Sequence, residues 1–379
     1  MQFPSSTSNL PIHHLAGVFR HTSASYKFYW FLSILHDIES NNREAIPVNE
    51  LLIRMVAMSW FPINLYKLSF GKNDSLANII IAILEDEQVE LNLKSTEKEV
   101  YQIISKAFQQ DNKAIKKEIK TLSYNVPYRF LSPFFSSQLS GIKSDYQRHQ
   151  MIVGEANQQY SNSQTPPIYR FEKRGKEEFI VLHLHWLDYF KTHLSIIKDF
   201  CYWNLLTFLQ KRNPNVPNIA NKLFPPPKRA PLTTARKFWD LAYTESPELS
   251  NCIFSKKSLL ENPFEVDHFI PWSFVAHDQL WNLIPINPSV NSSKSNHLPD
   301  LDTYFSRYAH QHFSAFQIAF HQEKRNWLED YSLLFNQETE SIAYMQESQF
   351  AKILLDHISP LQQIAANAGF TYNWMYPPK

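Results

Sequence analysis

Apolar residues recur at helical spacing through most of the chain. Between positions 26 and 38, Tyr26, Phe28, Tyr29, Phe31, Leu32, Leu35 and Ile38 follow a repeat of three to four, which lines one face of a helix. After 24 irregular residues at the start, further helices are expected over 48–58, opened by Pro47, and over 76–87, 97–109 and 111–122. Most of 185–211 reads the same way. Pro62 is expected to break or kink its helix. The aromatic, proline-punctuated stretch 125–135 reads as a connector buried between helices. Strand-like runs are few and short. Residues 168–171 and 178–184 flank the turn Lys173-Arg174-Gly175-Lys176 and read as a hairpin, with His183 and His185 on one strand face. Residues 264–270 and 281–286 read as a second strand pair. Helices return over 301–322, 326–335 and 347–368, the last expected to kink or split at Pro360. The expected fold class is α+β and predominantly helical.

Proline sets the expected boundary. Residues 213–231 hold Pro214, Pro217, Pro225, Pro226, Pro227 and Pro231, the composition of an extended, semi-rigid linker. The chain then divides into an N-terminal, mostly helical region with a β-hairpin (1–212), the linker, and a C-terminal domain (232–379). Basic residues gather around the second boundary: Lys222, Lys228, Arg229, Arg236, Lys237, and further on Lys256 and Lys257. A solvated linker carries such charge by default. Beside a phosphate-cleaving site it would hold a polyanionic substrate.

Candidate chemistry concentrates in one place. Asp267 and His268 are adjacent, Asn282 follows 14 residues after the histidine, and Asn291 nine further on, with Lys294 behind it. A neutral histidine can take a proton from water near physiological pH. A carboxylate and an amide carbonyl suffice for a hard divalent ion that keeps several of its waters. On a strand, Asp267 and His268 point to opposite faces. A helix opened by Pro288, with Asn287 as its N-cap, brings Asn291 and Lys294 onto one side.

The stretch Asp267-His268-Phe269-Ile270-Pro271-Trp272-Ser273-Phe274, with Asn282 and Asn291-Ser292-Ser293-Lys294, resembles the HNH nuclease motif. Its pattern D-H-x-x-P-x-S-F, then N, then N-x-x-K is most similar to the HNH domain of RNA-guided type II CRISPR nucleases. The resemblance covers about 50 of 379 residues, with a motif core at 251–300. It implies a ββα-metal fold flanked by helices. It also implies His268 as general base, Asp267 and Asn291 as metal ligands, Asn282 as the residue orienting loop and base, and Lys294 near phosphate. Mg2+ or Mn2+ would be the cofactor and DNA the substrate, cut one strand per site, so that paired cuts need a homodimer. Stand-alone nucleases of this build resemble bacterial restriction or anti-phage effectors. The N-terminal region is then a recognition or sensor module answering to a regulatory protein or nucleic acid. The competing expectation is a ligand- or partner-regulated binding protein whose HNH unit is a gated toxin-like effector or a DNA-binding remnant.

Composition narrows this further. Many HNH proteins carry paired Cys-x-x-Cys zinc ligands, but Cys201 and Cys252 are the only cysteines here, so no four-cysteine structural zinc is expected. An apolar set, Ile253, Phe254, Leu259, Leu260, Phe264 and Val266, is expected to hold the scaffold instead. Two cysteines also suit a reducing compartment. No signal-peptide pattern or membrane-length apolar run is evident, so a cytoplasmic location without membrane contact is expected. The net charge of +1 gives no global nucleic-acid signature. With only six glycines and neither G-x-x-x-x-G-K nor G-x-G-x-x-G, phosphate-loop and dinucleotide chemistry are disfavoured.

Overall fold

A computed structural model describes residues 4–5, 10–72, 74–85, 91, 95–110, 112–162, 165–227, 231–260 and 264–377. Helix accounts for 62% of the chain, and the sheets are small and antiparallel, a mostly helical α+β architecture. The contacts divide the chain into two units, one of residues 1–214 with 222–225, the other of 215–221 with 226–379.

The first unit is built on aromatic helices. Tyr26–Ser40 and Val48–Trp60 bury Trp30, Phe31, Leu35, Leu52 and Trp60. At Pro62 the second of these helices widens into one π-turn, Phe61–Leu65, closed by Tyr66 N–H donating to Phe61 O at 3.0 Å. The wider turn absorbs a proline that has no N–H to give. Ile12–Gly17 is a short helix within the stretch expected to be irregular. Residues 125–135 are also helical, Val126–Leu131 followed by a 3-10 turn at Ser132–Phe135, because Pro127 and Pro133 sit in first turns where a missing N–H costs nothing.

The hairpin is β2 (Tyr169–Arg174) and β3 (Glu177–Leu182), turning at Gly175 with φ 61°. A third strand, β1 (Ala45–Pro47), lies on the other side of β3, with Ile46 opposite Ile180. Three residues are too few to show a period. His183 and His185 do not share a strand face as expected: β3 stops at Leu182, and His183 caps the helix Leu184–Thr192, its Nδ1 accepting from His185 N–H at 3.2 Å. A second helix, Leu194–Gln210, follows.

The proline-rich segment is not wholly extended. Ile219–Leu223 forms a 3-10 helix, Ile219 and Leu223 are buried, and Asn218 Nδ2 donates to Val275 O at 3.0 Å. Lys222 is fully buried, and that burial draws its pKa down to about 7.

The second unit surrounds two strands with helices. Thr233–Glu245, Leu301–His321 and Glu347–Asn367 supply a large part of its core, including Phe238, Trp239, Tyr308, Phe316 and Phe350. The last helix runs unbroken through Pro360. The stretch 326–335 is a 3-10 turn at Arg325–Trp327 and a helix at Glu329–Phe335. Of the expected apolar set, Ile253, Phe254, Leu259 and Phe264 are buried with Cys252. Leu260, in contrast, is 59% exposed. No described helix is long and apolar enough to cross a membrane.

Candidate active site

Two short strands and a helix carry the motif. β4 (Glu265–His268) pairs antiparallel with β5 (Leu283–Ile286), so that Asp267 faces Ile284 and His268 faces Leu283 across the ladder. The helix Pro288–Lys294 follows β5 after a single residue. Two aromatic side chains anchor the approach to β5 from the core. Trp239 Nε1 donates to Leu283 O at 3.1 Å, and the Tyr308 hydroxyl donates to Trp281 O.

Asn282 extends the ladder with its side chain. Phe269 N–H donates to Asn282 O at 2.7 Å, Ile270 N–H to Asn282 Oδ1 at 2.8 Å, and Asn282 Nδ2 to Ile270 O at 2.9 Å. With both amide atoms satisfied and the residue fully buried, Asn282 fixes where the chain leaves β4.

The helix and β4 meet in two rungs. Asn291 Nδ2 donates to Glu265 Oε2 at 2.7 Å, and Lys294 Nζ to Asp267 Oδ2 at 2.8 Å. Alternate residues of a strand share a face about 6.6 Å apart, and helix residues three apart are spaced by about 5–6 Å, so the registers match. Lys294 is fully buried, its ammonium on Asp267, whose side chain is 18% exposed. Among the described residues, Asp267 Oδ1 and Asn291 Oδ1 take no hydrogen bond.

His268 turns the other way and is 1% exposed. Its Nε2 lies 2.8 Å from Asp278 Oδ1. A carboxylate only accepts, so a neutral His268 carries its proton on Nε2 and leaves the Nδ1 lone pair available. Asp278 was not among the expected site residues. It stands ten positions after the histidine, just past a turn whose Ala276 is left-handed (φ 52°). Glu265 was missed too, although its place two residues before Asp267 puts it on the same strand face.

The expected phosphate-contacting residues fall into two groups. Lys228 and Arg229 lie outside the described residues. Arg236, Lys237, Lys256 and Lys257 are all exposed. Arg236 and Lys257 line a groove of about 600 Å3 together with Glu265 and the Asn287–Ser289 turn. Arg236 is held there over the Phe264 ring, 4.9 Å from its centre, and donates to Phe264 O at 2.9 Å. The groove therefore includes the carboxylate that accepts from Asn291.

The donor set suits a hard cation. Asp267 and Asn291 offer oxygens, as magnesium and manganese prefer. Among the described residues no group of three or more His, Cys, Asp and Glu side chains could hold a metal. A site here would keep most of its ligands as water. The loop before β4 is closed by backbone hydrogen bonds, Cys252 N–H to Lys257 O at 2.9 Å and Leu259 N–H to Ser250 O at 2.7 Å.

Comparison with known families bears on the same residues. Residues 250–300 match the family model of the HNH endonucleases, so the motif region is recognisably of that family. HNH nucleases in general use a divalent metal ion and act on nucleic acid. No curated protein and no solved structure matches the chain.

Proposed function

We propose that the second unit is a metal-dependent HNH endonuclease that hydrolyses DNA phosphodiester bonds at a ββα-metal site. One observation supports this above the others: Asp267 and Asn291 sit on adjacent rungs with uncommitted oxygens, while His268 on the same strand is oriented by Asp278. Asp267 and Asn291 would hold Mg2+ or Mn2+. When bound, the ion supplies Lewis-acid stabilisation to the scissile phosphate and its leaving oxygen. His268 Nδ1 takes a proton from water, the hydroxide forms a bond to phosphorus, and the bond to the leaving sugar oxygen breaks. Asp278 keeps the imidazole in the required tautomer. Asn282 fixes the β4 exit, and Lys294 limits the negative charge on Asp267. Arg236, Lys237, Lys256 and Lys257 hold flanking phosphates. The first unit serves recognition or sensing, and the whole acts in the cytoplasm as an anti-phage or restriction effector, paired as a homodimer for double-strand cuts.

A nicking assay on supercoiled plasmid tests this. Wild type with Mg2+ should yield open circles, and EDTA or His268→Ala should abolish them. Cleavage that ignores metal, or that survives His268→Ala, overturns the reading. Duplex DNA and RNA digested side by side settle the substrate. A second reading, a regulated DNA-binding unit without catalysis, has one observation in its favour. His268 is almost wholly buried, and Asp267 already carries a cation. DNA binding with no nicking under any divalent metal identifies that case.

A further inference from the structure

The first unit contains a cleft of about 970 Å3 between the 13–27 segment, the Val126–Leu131 helix with its 3-10 extension, and the start of the helix Asp145–Asn162. We infer that this cleft binds a small phosphate-bearing anion of nucleotide size.

Charge is the first argument. Four basic side chains line the cleft, Arg20, Lys27, Arg129 and Arg148, against one carboxylate among the described residues, Asp145. Asp145 is taken up by Arg129 at 2.8 Å. Among the described residues Lys27 hydrogen-bonds only carbonyls, Val18 O at 3.1 Å and His21 O at 3.4 Å. Arg148 also ends on carbonyls, of Ile142 at 3.0 Å and Leu139 at 3.3 Å. Arg20 makes no side-chain hydrogen bond or ion pair among the described residues. Burial, and then Arg129, pulls the Lys27 pKa down to about 8, the mark of a cation among cations without a counter-ion. Lys27 and Arg148 are half-buried, and such charge is costly until an anion fills the site.

Size and lining narrow the class. The volume is in the range of sites for cofactor-sized ligands and far exceeds an inorganic phosphate. Hydroxyls of Thr22, Ser75, Ser132 and Ser136 supply donors, and the His13 and His14 rings, 4.0 Å apart, offer a face for a base. The lining residues all belong to the first unit, so the test needs no cleavage assay.

Calorimetric titration of the full chain in metal-free buffer decides it, using ATP, pyrophosphate, adenosine and a short single-stranded DNA. ATP and pyrophosphate should bind and adenosine should not. Arg20→Ala should weaken ATP by about tenfold or more, the worth of one charge-assisted hydrogen bond, and Arg20→Glu should remove binding. Because Arg20 is exposed, both variants should melt at the wild-type temperature without ligand. Absence of binding by ATP and pyrophosphate overturns the inference. So does equal binding of adenosine, unchanged affinity in Arg20→Glu, or binding confined to the oligonucleotide.

Discussion

His268 Nε2 and Asp278 Oδ1 stand 2.8 Å apart, which fixes the side of the imidazole that can work. Partners of this kind, behind a reacting or ligating histidine, are worth about 10–100-fold in activity. Asp278→Ala should therefore lower kcat for nicking by about that factor. KM for DNA should be unchanged, because Asp278 touches His268 and does not line the groove at Arg236. Asp278→Asn keeps an acceptor oxygen and should recover part of the loss. Matched rates for the wild type and both variants would show that the pair is packing alone.

The rung between Lys294 and Asp267 predicts a stability effect separable from activity. Asp267→Ala leaves a buried ammonium without a partner, at a cost of about 3 kcal/mol. For a unit of this size that lowers the melting temperature by about 6–12 °C. Adding Lys294→Met removes the stranded charge and should restore most of the stability. It should restore no nicking, since the carboxylate proposed to hold the metal is still missing. Differential scanning calorimetry alongside the plasmid assay checks both halves. A double variant as unstable as Asp267→Ala would mean that the ion pair is not what holds the rung.

The site was legible in the sequence where its geometry is local. Asp267, Asn291 and Lys294 follow from strand and helix spacing within a 28-residue window, and the family match covers the same window. Asp278 was not legible, because its approach to His268 depends on a left-handed turn at Ala276 that no periodicity announces. His183 was misread because the apolar run Ile180–Leu182 continues straight into it, and a histidine N-cap leaves no pattern. Pro62 is expected to break or kink its helix, and the α-helix Val48–Trp60 does give way there to a π-turn; Pro360 is expected to kink or split its helix, and that helix continues through it without a split. The cleft of the first unit was beyond reach, since Arg20 and Arg148 line it from more than a hundred residues apart in the chain.

Lys257 lines the groove beside Glu265 and is exposed, so its substitution should change DNA affinity and little else. Each phosphate contact releases counter-ions and adds about 0.9 to the slope of log affinity against log salt. Lys257→Ala should lower that slope by about 0.9, uniformly across DNA sequences. Fluorescence anisotropy at several salt concentrations, with Ca2+ in place of Mg2+, reads it out. An unchanged slope would move the phosphate path away from this groove.

His312 gives the second unit a pH-dependent weakness. It is fully buried against Trp239, and its Nδ1 lies 2.6 Å from the Tyr331 hydroxyl. Burial pulls its pKa from 6.5 down to about 3. The folded unit therefore keeps His312 neutral at a pH where the unfolded chain already takes up a proton. Above 6.5 both states are neutral and the residue has no effect on the pH slope. Between 6.5 and about 3, unfolding gains about 1.4 kcal/mol for each unit the pH falls. Protection of the Leu301–His321 amides against hydrogen exchange, corrected for intrinsic rates, should drop accordingly between pH 7 and 5. His312→Gln cannot titrate, so it should lower protection at pH 7 but flatten its fall with pH. A slope as steep in the variant as in the wild type would assign the acid sensitivity to other groups.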